Sequence, residues 1–362
     1  MAEGQRKQTQ TEKGLQTLGS AAEAEELLRD VWYYALPSAQ LPAGAVQRHV
    51  LLGEPVLLGR DRSGRAFALR DVCPHRGVPL SCGRFDGEAI ACAYHGWRFD
   101  AQGVCQEIPA LTADSTLAVS KIRVPRYPLH EQDGNVWIYM PGRGGEPLLA
   151  PPQTDLGSPR LYERMVFPCP MDQAVIGLMD PAHGPFVHRV WWWRSPGQLH
   201  EKAKDFGPIP YGFAMVRHRL QRVSLGYRLL GRHPEVEITF QLPGLRIETV
   251  FTEAHRLVNV TALTPLSATE TAIHTVFYWT VPWLAPLVPL LRPFVREFLA
   301  QDRRLAVQQQ QGLPFLTHPM LLDDADTQAR WYLQLKGEYR RAVQENRPFV
   351  NPVPVTTLRW RS

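Results

Sequence analysis

The sequence predicts an α+β chain in two parts, a small all-β domain and then a larger antiparallel sheet closed by one long helix. Three observations carry that expectation. Between residues 32 and 140, short apolar runs (HVLLG, PVLLGR, AFALR, AIACAYHGW, VWIYM) alternate with turn signals such as Gly53-Glu54-Pro55, Asp61-Arg62-Ser63-Gly64, Asp86-Gly87 and Asp133-Gly134. Residues 141–160 (PGRGGEPLLAPPQTDLGSPR) are rich in Pro and Gly and read as a linker. Beyond them, alternating segments at 211–220, 236–242, 245–253, 257–263 and 271–280 precede a helical pattern at 293–311.

Taken in order, residues 1–27 are polar and read as a disordered tail running into a short acidic helix. The all-β domain is expected over 28–145 and the second domain over 146–362, with another helix at 327–344 that is charged on its outer face. The chain has 362 residues, 44% hydrophobic and 21% charged, a balance that excludes wholesale disorder. Its net charge of +5 is spread along the chain, which suits an acidic protein partner better than nucleic acid. The five cysteines, at 73, 82, 92, 105 and 169, are too few and odd in number for a disulfide framework. With no apolar leader in the first 27 residues, they point to a reducing compartment and a cytoplasmic protein. The most apolar stretch, 281–291 (VPWLAPLVPLL), is broken by three prolines and too short for a transmembrane segment. It is expected either to shape an entrance or to pack under the long helix.

Two constellations carry chemistry. Cys73-Pro74-His75 is followed, after 16 residues, by Cys92-Ala93-Tyr94-His95. Two sulfur and two nitrogen donors on two loops suit either a tetrahedral structural zinc or a [2Fe–2S] cluster with two imidazoles on one iron. The C-x-H spacing places sulfur and nitrogen on one tight loop, which suits two irons better than one zinc. Pro74, Gly77 and Gly96 give the loops the backbone freedom to cradle a bulky group. Cys82, Cys105 and Cys169 fall outside the pattern and read as ordinary semi-buried thiols.

The second constellation is Asp180-Pro181-Ala182-His183-Gly184-Pro185-Phe186-Val187-His188. On an unbroken helix His183 and His188 diverge by about 140°. A break at Gly184-Pro185 can fold the second ring back toward the first. Asp180 stands one helical turn before His183. Read alone, Asp180-Pro181 merely caps a helix and both histidines are structural. Read as metal ligands, two histidines need one carboxylate to make the facial triad of mononuclear non-haem Fe(II) sites. Asp302 is the candidate, as the one acid in the middle of the long helical pattern; the alternative is a solvated surface Asp paired with Arg303 or Arg304. Phe186, Trp191, Trp192, Trp193, Phe240 and Trp279 are candidate pocket walls, or simply core.

With its flanks CPHRG and YHGWRFD, the first constellation resembles the Rieske iron–sulfur signature. Together with D-x-x-H-x-x-x-x-H and the late Asp followed by Arg, it resembles the Rieske non-haem iron oxygenase α-subunit family over roughly residues 30–345. The phrase LMDPAHGPFVH is similar to the pheophorbide a oxygenase branch, and the compact length to the stand-alone monooxygenases. The resemblance implies a Rieske domain and a helix-grip, START-like catalytic domain. It implies that Cys73 and Cys92 bind one iron, His75 and His95 the other, with Trp97 shielding the cluster, and that His183, His188 and Asp302 bind a mononuclear Fe(II). Asp180 becomes an electron-transfer bridge to a neighbouring subunit of a homotrimer. The implied chemistry is monooxygenation (hydroxylation or oxidative demethylation) of a hydrophobic, aromatic small molecule with O₂. Its electrons come from NAD(P)H through a ferredoxin and/or flavin reductase. The alternatives are a cis-dihydroxylating dioxygenase of the same fold and an electron-transfer protein without oxygenase activity.

Overall fold

Short, mostly buried apolar runs, interrupted by left-handed turn residues, build the first part of the chain from hairpins. A computed structural model describes residues 15–17, 27–142, 150–151, 153, 155–188, 199–220, 233–317 and 319–362. The tail expected over 1–27 lies almost wholly outside the described residues, as do Trp191, Trp192 and Trp193. The described residues fall into two compact units, those within 29–159 and 264–267 and the remainder.

The first unit holds β1 (Val31–Pro37), β2 (Ala45–Leu51), β3 (Glu54–Arg60), β4 (Ala66–Arg70), β5 (Arg84–Phe85), β6 (Ala89–Ala91), β7 (Arg98–Asp100), β8 (Cys105–Glu107), β9 (Leu129–Gln132) and β10 (Asn135–Met140). They form three antiparallel sheets in the orders β9-β10-β1, β2-β3-β4 and β5-β6-β7-β8. Asp133 and Gly134 make the two-residue turn between β9 and β10, both at positive φ (52° and 70°), the geometry whose twist matches the flanking strands. Leu57, Phe67, Leu69, Leu80, Ile90 and Phe99 form a core that also takes in Cys73, Cys92 and Cys105.

Among the described residues the second unit holds one eight-stranded antiparallel sheet and a separate antiparallel pair, Leu15–Thr17 with Met320–Leu322, so part of the expected tail is a strand. The strands of the large sheet are β11 (Leu161–Phe167), β12 (Glu201–Ile209), β13 (Gly212–Arg219), β14 (Glu235–Gln241), β15 (Leu245–Phe251), β16 (Arg256–Pro265), β17 (Thr271–Trp279) and β18 (Thr356–Arg361). The order is β11-β17-β16-β15-β14-β13-β12-β18, a meander closed at each edge by a strand remote in sequence. Four α-helices among the described residues accompany it: α1 (Met171–Met179), α2 (Gly184–Val187), α3 (Val288–Gly312) and α4 (Thr327–Gln344). The α+β class and the long helix are as expected, but α3 begins five residues before the pattern at 293. Pro289 sits in its first turn, where a missing N–H costs nothing, and Pro293 is accommodated inside.

Helix α1 buries Met171, Ala174, Val175 and Met179, one stripe at helical spacing. Its first turn is tied to α4 by an ion pair: Lys336 Nζ lies 2.6 Å from both oxygens of Asp172, and Tyr332 also donates to that carboxylate. Lys336→Met leaves Asp172 without its cation and is expected to destabilise this unit by about 3–5 kcal/mol, whereas the double change Asp172→Leu/Lys336→Met recovers most of that loss. Urea unfolding of the two variants measures the difference; equal stability of the single variant and the wild type contradicts it.

Candidate metal centres

The two cysteine loops are built alike. The Cys73 N–H donates to Val78 O (2.8 Å) and the Gly77 N–H to Cys73 O (2.9 Å); the Cys92 N–H donates to Trp97 O (2.9 Å) and the Gly96 N–H to Cys92 O (3.0 Å). Each loop therefore turns over a glycine four residues past its cysteine, at φ +75° and +71°. Such a backbone is strained for any side chain, and a Cβ on Gly96 also meets Pro109 at 3.2 Å.

Cys73 and Cys92 are buried, His95 is half-buried and His75 is exposed, so the sulfur end of the set faces the core and the nitrogen end faces outward. The imidazole rings lie 4.7 Å apart between centroids, and Trp97 stacks flat on His75 (4.6 Å, 3°). Burial pushes the Cys73 thiol up and the Cys92 thiol adds to this, while the N–H groups of His75 and Arg76 donate to its sulfur and pull the other way. Desolvation, then the charges of His95 and Arg76, hold His75 below its ordinary value, which favours the neutral form a metal takes.

His95 Nδ1 is buried without a hydrogen-bond partner among the described residues. A buried nitrogen of that kind is costly unless something outside the chain bonds to it. Among the described residues these four donors do not converge as one ion's ligands would, whereas His183, His188 and Asp302 do. Two thiols, two imidazoles, an orphaned nitrogen and a wide spread fit a diiron cluster and not a tetrahedral zinc. Cys105 and Cys169 are fully buried and Cys82 is exposed, so none of the three is the semi-buried thiol expected.

The second site is assembled from α1, α2 and α3. The helix does not break where the sequence suggested. It ends at Met179, Asp180 is extended (φ −70°, ψ 115°), and Pro185 starts the single turn of α2. Proline lacks only an N–H that the first helical turn leaves unbonded, so Gly184-Pro185 begins a helix and the break falls at Asp180-Pro181. His183 and His188 flank that turn, with ring centroids 5.2 Å apart and planes at 70°. Their Nε2 atoms are 3.3 Å apart, and Asp302 Oδ1 lies 3.3 Å from His188 Nε2 and 3.8 Å from His183 Nε2. Metal bonds of ~2.1 Å at right angles put neighbouring donors ~3 Å apart, so the three atoms stand close to one face of an octahedron.

Both Nδ1 atoms are committed elsewhere. His183 Nδ1 donates to the main-chain carbonyl of Asp180 (2.8 Å) and His188 Nδ1 to Gln301 Oε1 (2.9 Å), which leaves each Nε2 lone pair facing inward. The Asp180 carboxylate takes the Ala182 N–H (2.7 Å) and stays 3.7 Å from His183 Nδ1, so the carbonyl and not the carboxylate sets that ring's tautomer. Arg303 donates to Val166 O and Arg304 to Glu297, so neither guanidinium pairs with Asp302 in the way the surface alternative required. Burial pushes the Asp302 carboxyl up to about 6, against a smaller pull from His183.

Sequence reasoning missed Gln301 and Phe298. Phe298 stacks on His188 (3.6 Å, 13°), and with Gln301 and Asp302 it forms one stripe of α3 at i, i+3 and i+4. That spacing was the available signal. Gln301→Leu is expected to weaken ferrous-ion binding at this site roughly 10–100-fold, because the His188 ring loses the acceptor that orients it. Titration of the metal-free protein with Fe(II) checks this; unchanged affinity rules it out. Among the candidate pocket walls, Phe240 and Trp279 are core residues and Phe186 is exposed.

A family model described as the Rieske [2Fe-2S] domain matches residues 31–128. The chain is 36% identical over 177 residues to the chloroplastic chlorophyllide a oxygenase of Chlamydomonas reinhardtii, covering 47% of this chain and 26% of that protein. It is 38% identical over 211 residues to the 3-chlorobenzoate-3,4-dioxygenase oxygenase subunit of Comamonas testosteroni, covering 56% of this chain and 46% of the relative. It thus spans less than half the length of these curated relatives. A crystal structure of apo dicamba monooxygenase matches with a TM-score of 0.69 at 20% identity, over 88% of this chain and 99% of that one, a likeness of fold.

Proposed function

From the premise that this chain carries a Rieske [2Fe–2S] domain and is a homologue of the Rieske oxygenases, we propose that it is the oxygenase component of a monooxygenase acting on a hydrophobic, aromatic small molecule. One atom of O₂ enters the substrate by hydroxylation or oxidative demethylation, and the other leaves as water. Two electrons come from NAD(P)H through a ferredoxin and/or flavin reductase, the working unit is a homotrimer, and the five free cysteines suit a cytoplasmic setting. The observation that carries the reading is the convergence of His183 Nε2, His188 Nε2 and Asp302 Oδ1 with both Nδ1 atoms already bonded.

Cys73, His75, Cys92 and His95 hold the cluster, and His183, His188 and Asp302 hold the mononuclear iron. When bound, the cluster passes electrons singly and the iron binds and activates O₂. The chain's residues do the rest. The Asp180 carbonyl and Gln301 keep the two imidazoles in one tautomer, and Phe298 excludes water from a face of His188. Asp302 supplies negative charge and covers one side of the site, leaving the opposite side for substrate. His75 and His95 present the outward end of the cluster to an electron source. The Asp180 carboxylate, one-third exposed, is the group assigned as the bridge to a cluster histidine of a neighbouring subunit.

Iron analysis with ¹⁸O₂ labelling tests the proposal. Three irons per chain and one labelled oxygen in the product are expected. Two irons per chain indicate an electron carrier, and two labelled oxygens a cis-dihydroxylating dioxygenase, the reading suggested by the name of the Comamonas testosteroni relative.

A further inference from the structure

Residues 281–296 (VPWLAPLVPLLRPFVR) form the six-residue helical turn Pro282–Leu287 and the first turns of α3. Their inner face is accounted for: Leu284, Leu287, Val288, Leu291 and Val295 pack with Leu161, Trp279 and Val281. Their outer face is apolar as well. Trp283 is 44% exposed, Leu290 65% and Phe294 47%, with exposed Pro286 and Pro289 between them. A helix that is apolar all round belongs inside a protein core or in lipid, yet this one has a face in water.

Charge and area narrow what covers it. The segment contains no Asp or Glu, and its two charges are Arg292 and Arg296, both exposed at the polar edge; Arg292 reaches Glu163 at 3.2 Å. The outer face offers on the order of 300–400 Å² of apolar surface. A stable protein interface takes ~800 Å² from each partner. A small apolar wedge carrying a Trp and rimmed by Arg matches the interfacial zone of an anionic bilayer, where Trp sits at headgroup depth and Arg meets lipid phosphate. Four prolines stiffen the wedge, so little ordering is required on contact. We propose that Trp283 and Leu290, with Pro286 and Pro289 between them, form a shallow docking surface for anionic lipid membrane. The chain rests on the membrane and does not cross it; no helix among the described residues is long and apolar enough to do so.

Leu290 lies about three turns before Asp302 on α3, but the assignment does not rest on oxygenase activity. The test uses the metal-loaded full chain in flotation with phosphatidylcholine–phosphatidylglycerol vesicles, beside vesicles of phosphatidylcholine alone. Binding to the anionic vesicles is expected, weakened at least about tenfold by Leu290→Asp and by raised salt, with iron content and mass in solution unchanged. Brominated acyl chains are expected to quench tryptophan emission in the wild type and distinctly less in Trp283→Phe. Failure to bind any vesicle, or equal binding by wild type and Leu290→Asp, overturns the proposal. A fall in solution mass caused by Leu290→Asp also overturns it, since a second copy of the chain then covers this face.

Discussion

Asp302→Ala is expected to leave two irons per chain in place of three, and to lower O₂-dependent product formation by more than the ~10–100-fold that loss of an orienting partner costs a metal site. The remaining donors, His183 Nε2 and His188 Nε2 at 3.3 Å, define an edge and not a face, so the ion loses both a bond and its only anionic ligand. The cluster residues are untouched, so the EPR signal of the reduced [2Fe–2S] centre persists while the third iron disappears. Retention of three irons contradicts the assignment. The same carboxyl sets a pH limit on loading. Burial pushes it up to about 6 in the metal-free chain, so below that value an incoming ion must displace a proton. Ferrous affinity is expected to be flat for this group above pH 6 and to fall roughly tenfold per pH unit below it. In Asp302→Asn that dependence flattens, which separates the carboxyl from the two histidines.

Asp180→Asn is expected to keep all three irons and lower coupled turnover roughly 100-fold. The iron content survives because the contact holding His183 comes from the main-chain carbonyl, which the substitution leaves in place, and the amide oxygen can still accept the Ala182 N–H. The negative charge is lost, and with it the carboxylate proposed to link a cluster histidine of the next subunit to the iron site. Rapid reduction of the cluster with slow product formation is the expected signature. Full turnover in Asp180→Asn excludes the bridging role.

The pattern of legible and illegible features follows from the range of the interactions behind them. Cys73, His75, Cys92 and His95 stood out because each pair lies within one tight loop, whose geometry depends on residues at most five apart. The five-residue spacing of His183 and His188 was equally visible, but the helix break was placed at Pro185 instead of Asp180-Pro181. A proline ends one helix or opens the next, and only the packing of α1 and α2 distinguishes the two. Helix 327–344 was legible to the residue, since its apolar stripe and its ends lie in one uninterrupted segment. Strand β18 alternates buried Leu358 and Trp360 with exposed neighbours, but its partner β12 lies some 150 positions away, and nothing local announces the pairing.

By itself the sequence determined the two-part α+β architecture and singled out two candidate sets of metal-binding side chains, because these reside in short motifs and in the periodicity of single elements. The tertiary structure decided how the second set closes. Gln301 meets His188 across 113 positions, and Asp302 turns inward only because α3 packs on β11 in one register. Local propensity makes the helix but leaves its rotation free, and long-range packing of its apolar stripe fixes that rotation.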